Sequence, residues 1–229
     1  NYNAAYRLVF AGIMFASGLS MAVYPYFAKT WNKDRVEFSN IFNLTFKLLF
    51  ILSLPLSFVV AFFANDITIL IFGNGFYESG HILQILIWTL IPLYLYHIPG
   101  KTIEAIGEQK FVAWTMIAGV IINIIMNIIL IPYFNAKGAA AATLISTSLI
   151  LLLHLVFINK KIGTPQILNA IYKVIIPFAV YMIAIMVMDR YWTWMVSATC
   201  GFIIYFSLIY LFKGIRIKDF DILIGSKRL

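Results

Sequence analysis

Charge is scarce in this 229-residue chain and acidic charge scarcer still: Asp and Glu number nine against seventeen Lys and Arg, and the four types together make up 11% of the residues. None of the acids (Asp34, Glu37, Asp66, Glu78, Glu104, Glu108, Asp189, Asp219 and Asp221) falls deep within a long apolar run. The chain therefore lacks the buried carboxylate on which proton- or sodium-coupled membrane transport usually relies. Paired acids or histidines at a usable catalytic spacing are also lacking, since Asp66, Glu78, His81 and Asp189 are scattered. With one cysteine, Cys200, there is no disulfide framework and no zinc spacing. Gly73 and Gly75 lie close together, but no Gly-Lys-Ser/Thr follows and no strand precedes them, so a phosphate loop is a poor reading. Pro-, Gly- or Ser-rich linkers are missing too, which points to one membrane domain or part of one.

Long apolar runs take the place of these features. The chain is 62% hydrophobic, with mean hydropathy +0.93, against about 45–50% apolar in soluble domains. About 20 apolar residues cross a bilayer core as a helix, and seven such stretches are present, with spans predicted near 4–28, 44–65, 79–100, 111–134, 138–159, 167–188 and 191–212. The predicted fold class is all-α, a polytopic bundle of seven transmembrane helices.

The net charge of +8 is informative by position. Lys29, Lys33, Arg35, Lys47, Lys101, Lys110, Lys160, Lys161, Lys173, Lys213, Arg216, Lys218, Lys227 and Arg228 fall on one side of the alternating spans, and Arg7, Lys137 and Arg190 on the other. Basic residues in short loops mark the cytoplasmic face, so the tail at 213–229 is expected inside and Asn1 outside. The same distribution argues against nucleic acid as a partner, because the charges sit in loops between spans. An external start without an initiator Met or a signal peptide is most simply explained by helices missing upstream.

Three segments carry more than hydropathy. Residues 65–79 combine the apolar Ile67, Ile69, Leu70 and Phe72 with two glycines, which predicts a short interfacial helix and a tight turn rather than another span. Asn123 and Asn127 lie four residues apart and share a helix face, so both amides should point to protein or water: an interhelical hydrogen-bonding pair, or a substrate contact. The run Gly138 to Thr143 pairs small residues at i and i+4, the pattern of close helix approach.

The order Ile71-Phe72-Gly73-x-Gly75-x-Tyr77, then Glu104-Ala105-Ile106-Gly107-Glu108-Gln109-Lys110, then Asn123-x-x-x-Asn127-x-x-Leu130-Ile131-Pro132 running into Lys137-Gly138 and its alanines, resembles the C-terminal half of polysaccharide-biosynthesis flippases. These belong to the multidrug/oligosaccharidyl-lipid/polysaccharide exporter superfamily. The opening Tyr2 to Leu8, with Tyr24-Pro25 further along, is similar to that family's eighth helix. The resemblance covers roughly 1–161 and rests on order and short motifs rather than on a diagnostic one. It implies helices 8–14 of a fourteen-helix, two-lobed protein: 1–161 as part of the six-helix C-terminal lobe, 162–212 as two additional helices, and 213–229 as a basic cytoplasmic tail.

That resemblance also implies a multi-pass protein of a bacterial or archaeal cytoplasmic membrane that moves isoprenoid-pyrophosphate-linked glycans by alternating access. The expected partners are that substrate, membrane lipids and a missing N-terminal lobe; no cofactor, metal site or catalytic residue is expected. A multidrug exporter of the same superfamily, or a membrane-embedded enzyme of glycan assembly, are the competing readings. Arg7 is the first candidate site residue, since guanidinium pairs bidentately with phosphate, although from its position it can also snorkel to the outer interface. Lys47, at the inner end of the second predicted span, reads as a snorkelling stem or a substrate-steering charge. Tyr24 reads as an interface-belt residue on composition and as a substrate contact on the resemblance. His97, beside Tyr94 and Tyr96, reads as a proton relay or a hydrogen-bonded packing residue.

Overall fold

The computed structural model describes residues 2–162 and 167–215, and among these the chain is helical throughout apart from short turns. Helix α1 (Tyr2–Trp31) leads into a short turn in which Asp34 caps α2 (Arg35–Phe62): one carboxylate oxygen accepts from the Val36 and Glu37 amides, both at 2.9 Å. An N-cap aspartate supplies acceptors for otherwise orphaned amides, and this one starts α2 well before the predicted span at residue 44. Lys47 is consequently not at a helix end. It lies twelve residues, about 18 Å, into α2.

The chain pivots at Phe63 into α3 (Ala64–Phe72), then turns through Gly73 and a 3₁₀ turn at Asn74–Phe76 into α4 (Tyr77–Leu86). Gly73 has φ of 89°, a conformation that favours glycine. Gly80 packs directly against Asn65, leaving no room for a side chain at that position and setting α3 on α4. Leu70 and Ile71 stay exposed on α3, the apolar face expected of the short helix. A 3₁₀ turn at Ile87–Thr89 joins α4 to α5 (Leu90–Ala105). Gly107, also at φ 89°, ends α5: its amide donates to the Glu104 carbonyl at 3.1 Å and the Glu108 amide to the Ile103 carbonyl at 3.0 Å, the paired bonds of a Schellman motif.

Helix α6 (Gln109–Ile162) is two helices joined at Asn135, whose φ of 51° and ψ of −132° reverse the chain. Its arms run antiparallel, as cross-contacts show: Asn123 with Ser146, Thr115 with His154, Phe111 with Phe157 and, just before the first arm, Glu108 with Lys161. Helices α7 (Ile167–Met188) and α8 (Trp194–Leu211) complete the described bundle.

Among the described residues five helices are long and apolar enough to cross a membrane, the continuous 109–161 segment counting as one of them. Its reversal at Asn135 divides that segment into two arms, and over Lys173–Met188 α7 is a shorter apolar helix. Large apolar side chains face outward along these helices, Trp114, Ile128 and Ile203 among them, as lipid-facing surfaces do. Of the tail expected at 213–229, residues 216–229 lie outside the described ones.

Two apolar cores hold the bundle, and α2 contributes to both. In the larger, Phe27 of α1 packs on Phe38 and Phe42 of α2, with Leu83 and Leu86 from α4 and Leu90, Ile98 and Ile103 from α5. In the smaller, Ile51, Leu54 and Phe58 of α2 meet Tyr181 and Ile185 of α7 and Tyr205 and Ile209 of α8. Gly201 brings α8 close to α7, since a Cβ there would lie 2.8 Å from Ile185.

Pro55 makes the second core specific. Proline has no N–H, so the Ile51 carbonyl one turn earlier loses its helical donor. The Tyr205 hydroxyl donates to that carbonyl at 2.9 Å, and the Tyr181 hydroxyl donates to the Pro55 carbonyl at 3.0 Å. Both tyrosines are fully buried, with ring centroids 5.4 Å apart.

Candidate functional site

Helix α1 has one buried stripe, formed by Ala5, Val9, Ala16, Ser20, Val23 and Phe27. At 100° per residue the opposite face carries Arg7, Ala11, Met14 and Gly18, all exposed. Arg7 makes no ion pair among the described residues and lies beside the stacked rings of Tyr2, Tyr6 and Phe10. Tyr24 is exposed on the same helix but about 25 Å along the axis from Arg7, so α1 does not bring the two together.

Further along α1, Ala11, Gly12 and Phe15 form one wall of a groove of about 410 Å³; Leu52 and Leu56 of α2, Tyr94 of α5, and Phe202 and Phe206 of α8 form the others. The lining is apolar apart from the Tyr94 hydroxyl, which donates to the Gly12 carbonyl at 2.7 Å and so presents no free hydrogen. The groove suits a hydrocarbon chain rather than a polar ligand.

Asn123 and Asn127 meet as their spacing predicts. The Asn127 amide nitrogen donates to Asn123 Oδ1 at 3.0 Å, the Asn123 amide nitrogen to Ser146 Oγ at 3.2 Å, and Ser146 Oγ to the Thr143 carbonyl at 3.0 Å. This chain crosses between the two arms of α6, which is the interhelical alternative. Asn127 Oδ1 is buried without a partner. Gly138, in the small-residue run, lies against the main chain of the other arm: a Cβ there would sit 2.5 Å from the Leu130 carbonyl oxygen.

His97 belongs to a cluster that sequence reasoning only half identified. Its ring stacks on Tyr96 at 4.7 Å with Nε2 buried and unpaired, and Tyr96 meets His154 edge-on at 6.2 Å. His154 is fully buried, with Nε2 2.8 Å from the Thr115 hydroxyl. At the end of α5, Lys101 pairs with Glu104 at 2.6 Å. His97, Gly100, Lys101 and Glu104 recur at the i, i+3, i+4, i+7 spacing of one helix face, a pattern visible in the sequence. The approach of His154 was not, because fifty-seven positions separate it from His97. Lys47, in mid-α2, is half-buried. Among the described residues no cluster of His, Cys, Asp or Glu could hold a metal ion.

Comparison with known proteins fits an all-helical membrane chain with an apolar groove. The chain is 23% identical over 163 residues to the "Probable low-salt glycan biosynthesis flippase Agl15" of Haloferax volcanii, covering 71% of this chain and 34% of that protein. It is 21% identical over 183 residues to the "Lipid II flippase MurJ" of Bacillus subtilis, covering 78% and 32%. An "Uncharacterized membrane protein YabM" of Bacillus subtilis is 22% identical over 199 residues, covering 86% and 37%. The chain thus spans about a third of the length of the curated relatives it matches. The profile described as "Lipid II flippase MurJ" matches residues 2–211, nearly the whole chain, and the chain belongs to that family.

Proposed function

We propose that this chain is the C-terminal part of a flippase that carries an isoprenoid-pyrophosphate-linked glycan across the cytoplasmic membrane by alternating access. The observation that carries the reading is the layout of α1: an exposed guanidinium at Arg7, then one and two turns later the Ala11, Gly12 and Phe15 wall of an apolar groove. A lipid diphosphate needs both. Its charge and the sugar hydroxyls demand replacement of lost hydration, which Arg supplies as paired donors, while the isoprenoid chain needs only an apolar channel. The family match and the glycan-flippase relative support the same class of cargo.

In this reading residues 1–161 form part of a six-helix lobe, and α7 and α8 are an added pair of which α8 walls the groove. The open face of α1 meets a further lobe across a wet cavity, and Asn127 Oδ1 and Lys47 are polar contacts for the cargo. Asn1 lies outside and the tail inside, by the distribution of basic residues.

The test is genetic. In the full-length protein, Arg7→Ala abolishes complementation of a flippase-deficient strain and Arg7→Lys retains part of it, because lysine keeps the charge but not the paired donors. Wild-type export by Arg7→Ala at normal expression defeats the assignment. A topology reporter inserted near Asn74 should respond as external and one after Leu229 as cytoplasmic; both on one side would overturn the orientation.

A further inference from the structure

Helix α1 carries three aromatic rings that the cargo assignment leaves without a role. Tyr2, Tyr6 and Phe10 stand four residues apart and so share one helix face. Their rings form a ladder, with centroids 6.3 and 6.4 Å apart and each pair 22° from parallel. Tyr2 is half-buried, its hydroxyl oxygen 3.5 Å from Thr143 Oγ1 on the second arm of α6. The other two rings are open, Tyr6 at 47% and Phe10 at 56% exposure.

The ladder has a defined place relative to Arg7. At 100° per residue, Phe10, Tyr6 and Tyr2 turn about 60°, 100° and 140° to one side of Arg7, while Ala11, Phe15 and Gly12 of the apolar groove turn about 40°, 80° and 140° to the other. The two sets are also offset along the axis: Phe15 lies about 12 Å beyond Arg7, and Tyr2 about 7.5 Å before it. The guanidinium therefore stands between an apolar groove and an aromatic ladder, on a diagonal across one helix. Tyrosines at the start of a span ordinarily belong to an interface belt. Phe10 does not fit that role, because it has no polar tip and stands a turn deeper than Tyr6, past Arg7.

We propose that the faces of Tyr6 and Phe10 are a sugar-binding platform, the subsite for the first pyranose ring attached to the lipid diphosphate. One face of a pyranose presents C–H groups of partial positive charge, and an aromatic face carries partial negative charge. A sugar therefore lies flat on such rings with its hydroxyls at the rim. Asn3 and Tyr6, both exposed, bring an amide and a phenol to the same stretch of α1 for those hydroxyls. The order of tail, diphosphate and sugar in the cargo matches the order of groove, Arg7 and ladder on the helix. The platform rests on the cargo assignment above and adds to it the part of the glycan that is recognised: a ring face, next to the diphosphate.

The test is a ratio of affinities, measured on the full-length protein in nanodiscs. The probes are farnesyl diphosphates carrying glucose, galactose, mannose or N-acetylglucosamine on the terminal phosphate; the reference carries a methyl group there, with the same charge and no sugar. At least one sugar-bearing probe should bind about five- to tenfold more tightly than the reference, the scale of one or two aromatic contacts. Tyr6→Leu and Phe10→Leu keep an apolar side chain but lose the ring face; each should lower the ratio, and the double variant should bring it to one. Arg7→Ala should weaken every probe and leave the ratio above one. A ratio of one in the wild type, or an unchanged ratio in the double variant, overturns the platform while binding of the diphosphate still stands. Failure of the folded protein to bind any of the probes removes the cargo assignment and the platform with it. Should the double variant not accumulate, each single variant is read in the same way.

Discussion

Two seams flank α5 and α2 and use buried polar atoms in opposite ways. Where α7 and α8 meet α2, each tyrosine hydroxyl donates to a main-chain carbonyl, and one of those carbonyls is the acceptor that Pro55 left without a partner. Where α6 meets α5, His97 Nε2 is buried and unpaired, as is Asn127 Oδ1 further along the hairpin. Ser57 and Ser197 also have unpaired hydroxyls on α2 and α8, but a helical serine can turn back onto a carbonyl of its own helix. An imidazole nitrogen has no such recourse. The first seam is a fixed joint, and the second leaves polar atoms without partners.

The largest expected effect falls on the fixed joint. Tyr205→Ala removes a fully buried ring and leaves the Ile51 carbonyl without a donor, a loss of about 3–5 kcal/mol, read by denaturant unfolding in detergent. A loss below about 1 kcal/mol, the scale of a single hydrogen bond, would mean that α8 is held by lipid rather than by α2. Next comes the turn of the hairpin. Gly138→Ala drives a methyl group into the Leu130 main chain, which cannot move aside as a side chain would, and should cost about 1–3 kcal/mol. An unchanged midpoint would show the hairpin to be loose along its whole length, including the turn. The smallest effect sharpens the comparison most. Tyr205→Phe removes only the hydroxyl and should cost about 1 kcal/mol in the native background. With Pro55→Ala the helix regains its own donor for Ile51, and the same change should cost close to nothing. Equal costs in both backgrounds would separate the tyrosine from the proline.

The sequence showed the crossings clearly because hydropathy depends only on local composition, and the Asn123 and Asn127 pair because i, i+4 neighbours share a face whatever surrounds them. Helix ends were less legible. Apolar runs stop at the first charge, whereas α2 continues through Lys47 back to the Asp34 cap, so the helix is longer than the apolar run within it. Pairings between distant residues were not legible at all: Tyr205 with Ile51 and His154 with Thr115 depend on which helices become neighbours, and no local pattern encodes that. The proline at 55 was a partial signal, since it announces an orphan carbonyl without naming the donor. For the candidate site, Arg7 stood out by its isolation, while the groove beside it needed four helices before it existed.

The reversal at Asn135 bears on how the chain enters the membrane during synthesis. A single residue outside helical geometry joins the two arms of α6, too little chain to let one arm settle while the other waits in water. The arms must insert as one hairpin, their polar atoms joined before lipid closes around them. Lengthening that connection with a flexible insert would let the first arm integrate alone and present Asn123 to hydrocarbon without Ser146. The brevity of the turn thus protects the biogenesis of the segment as well as its final packing.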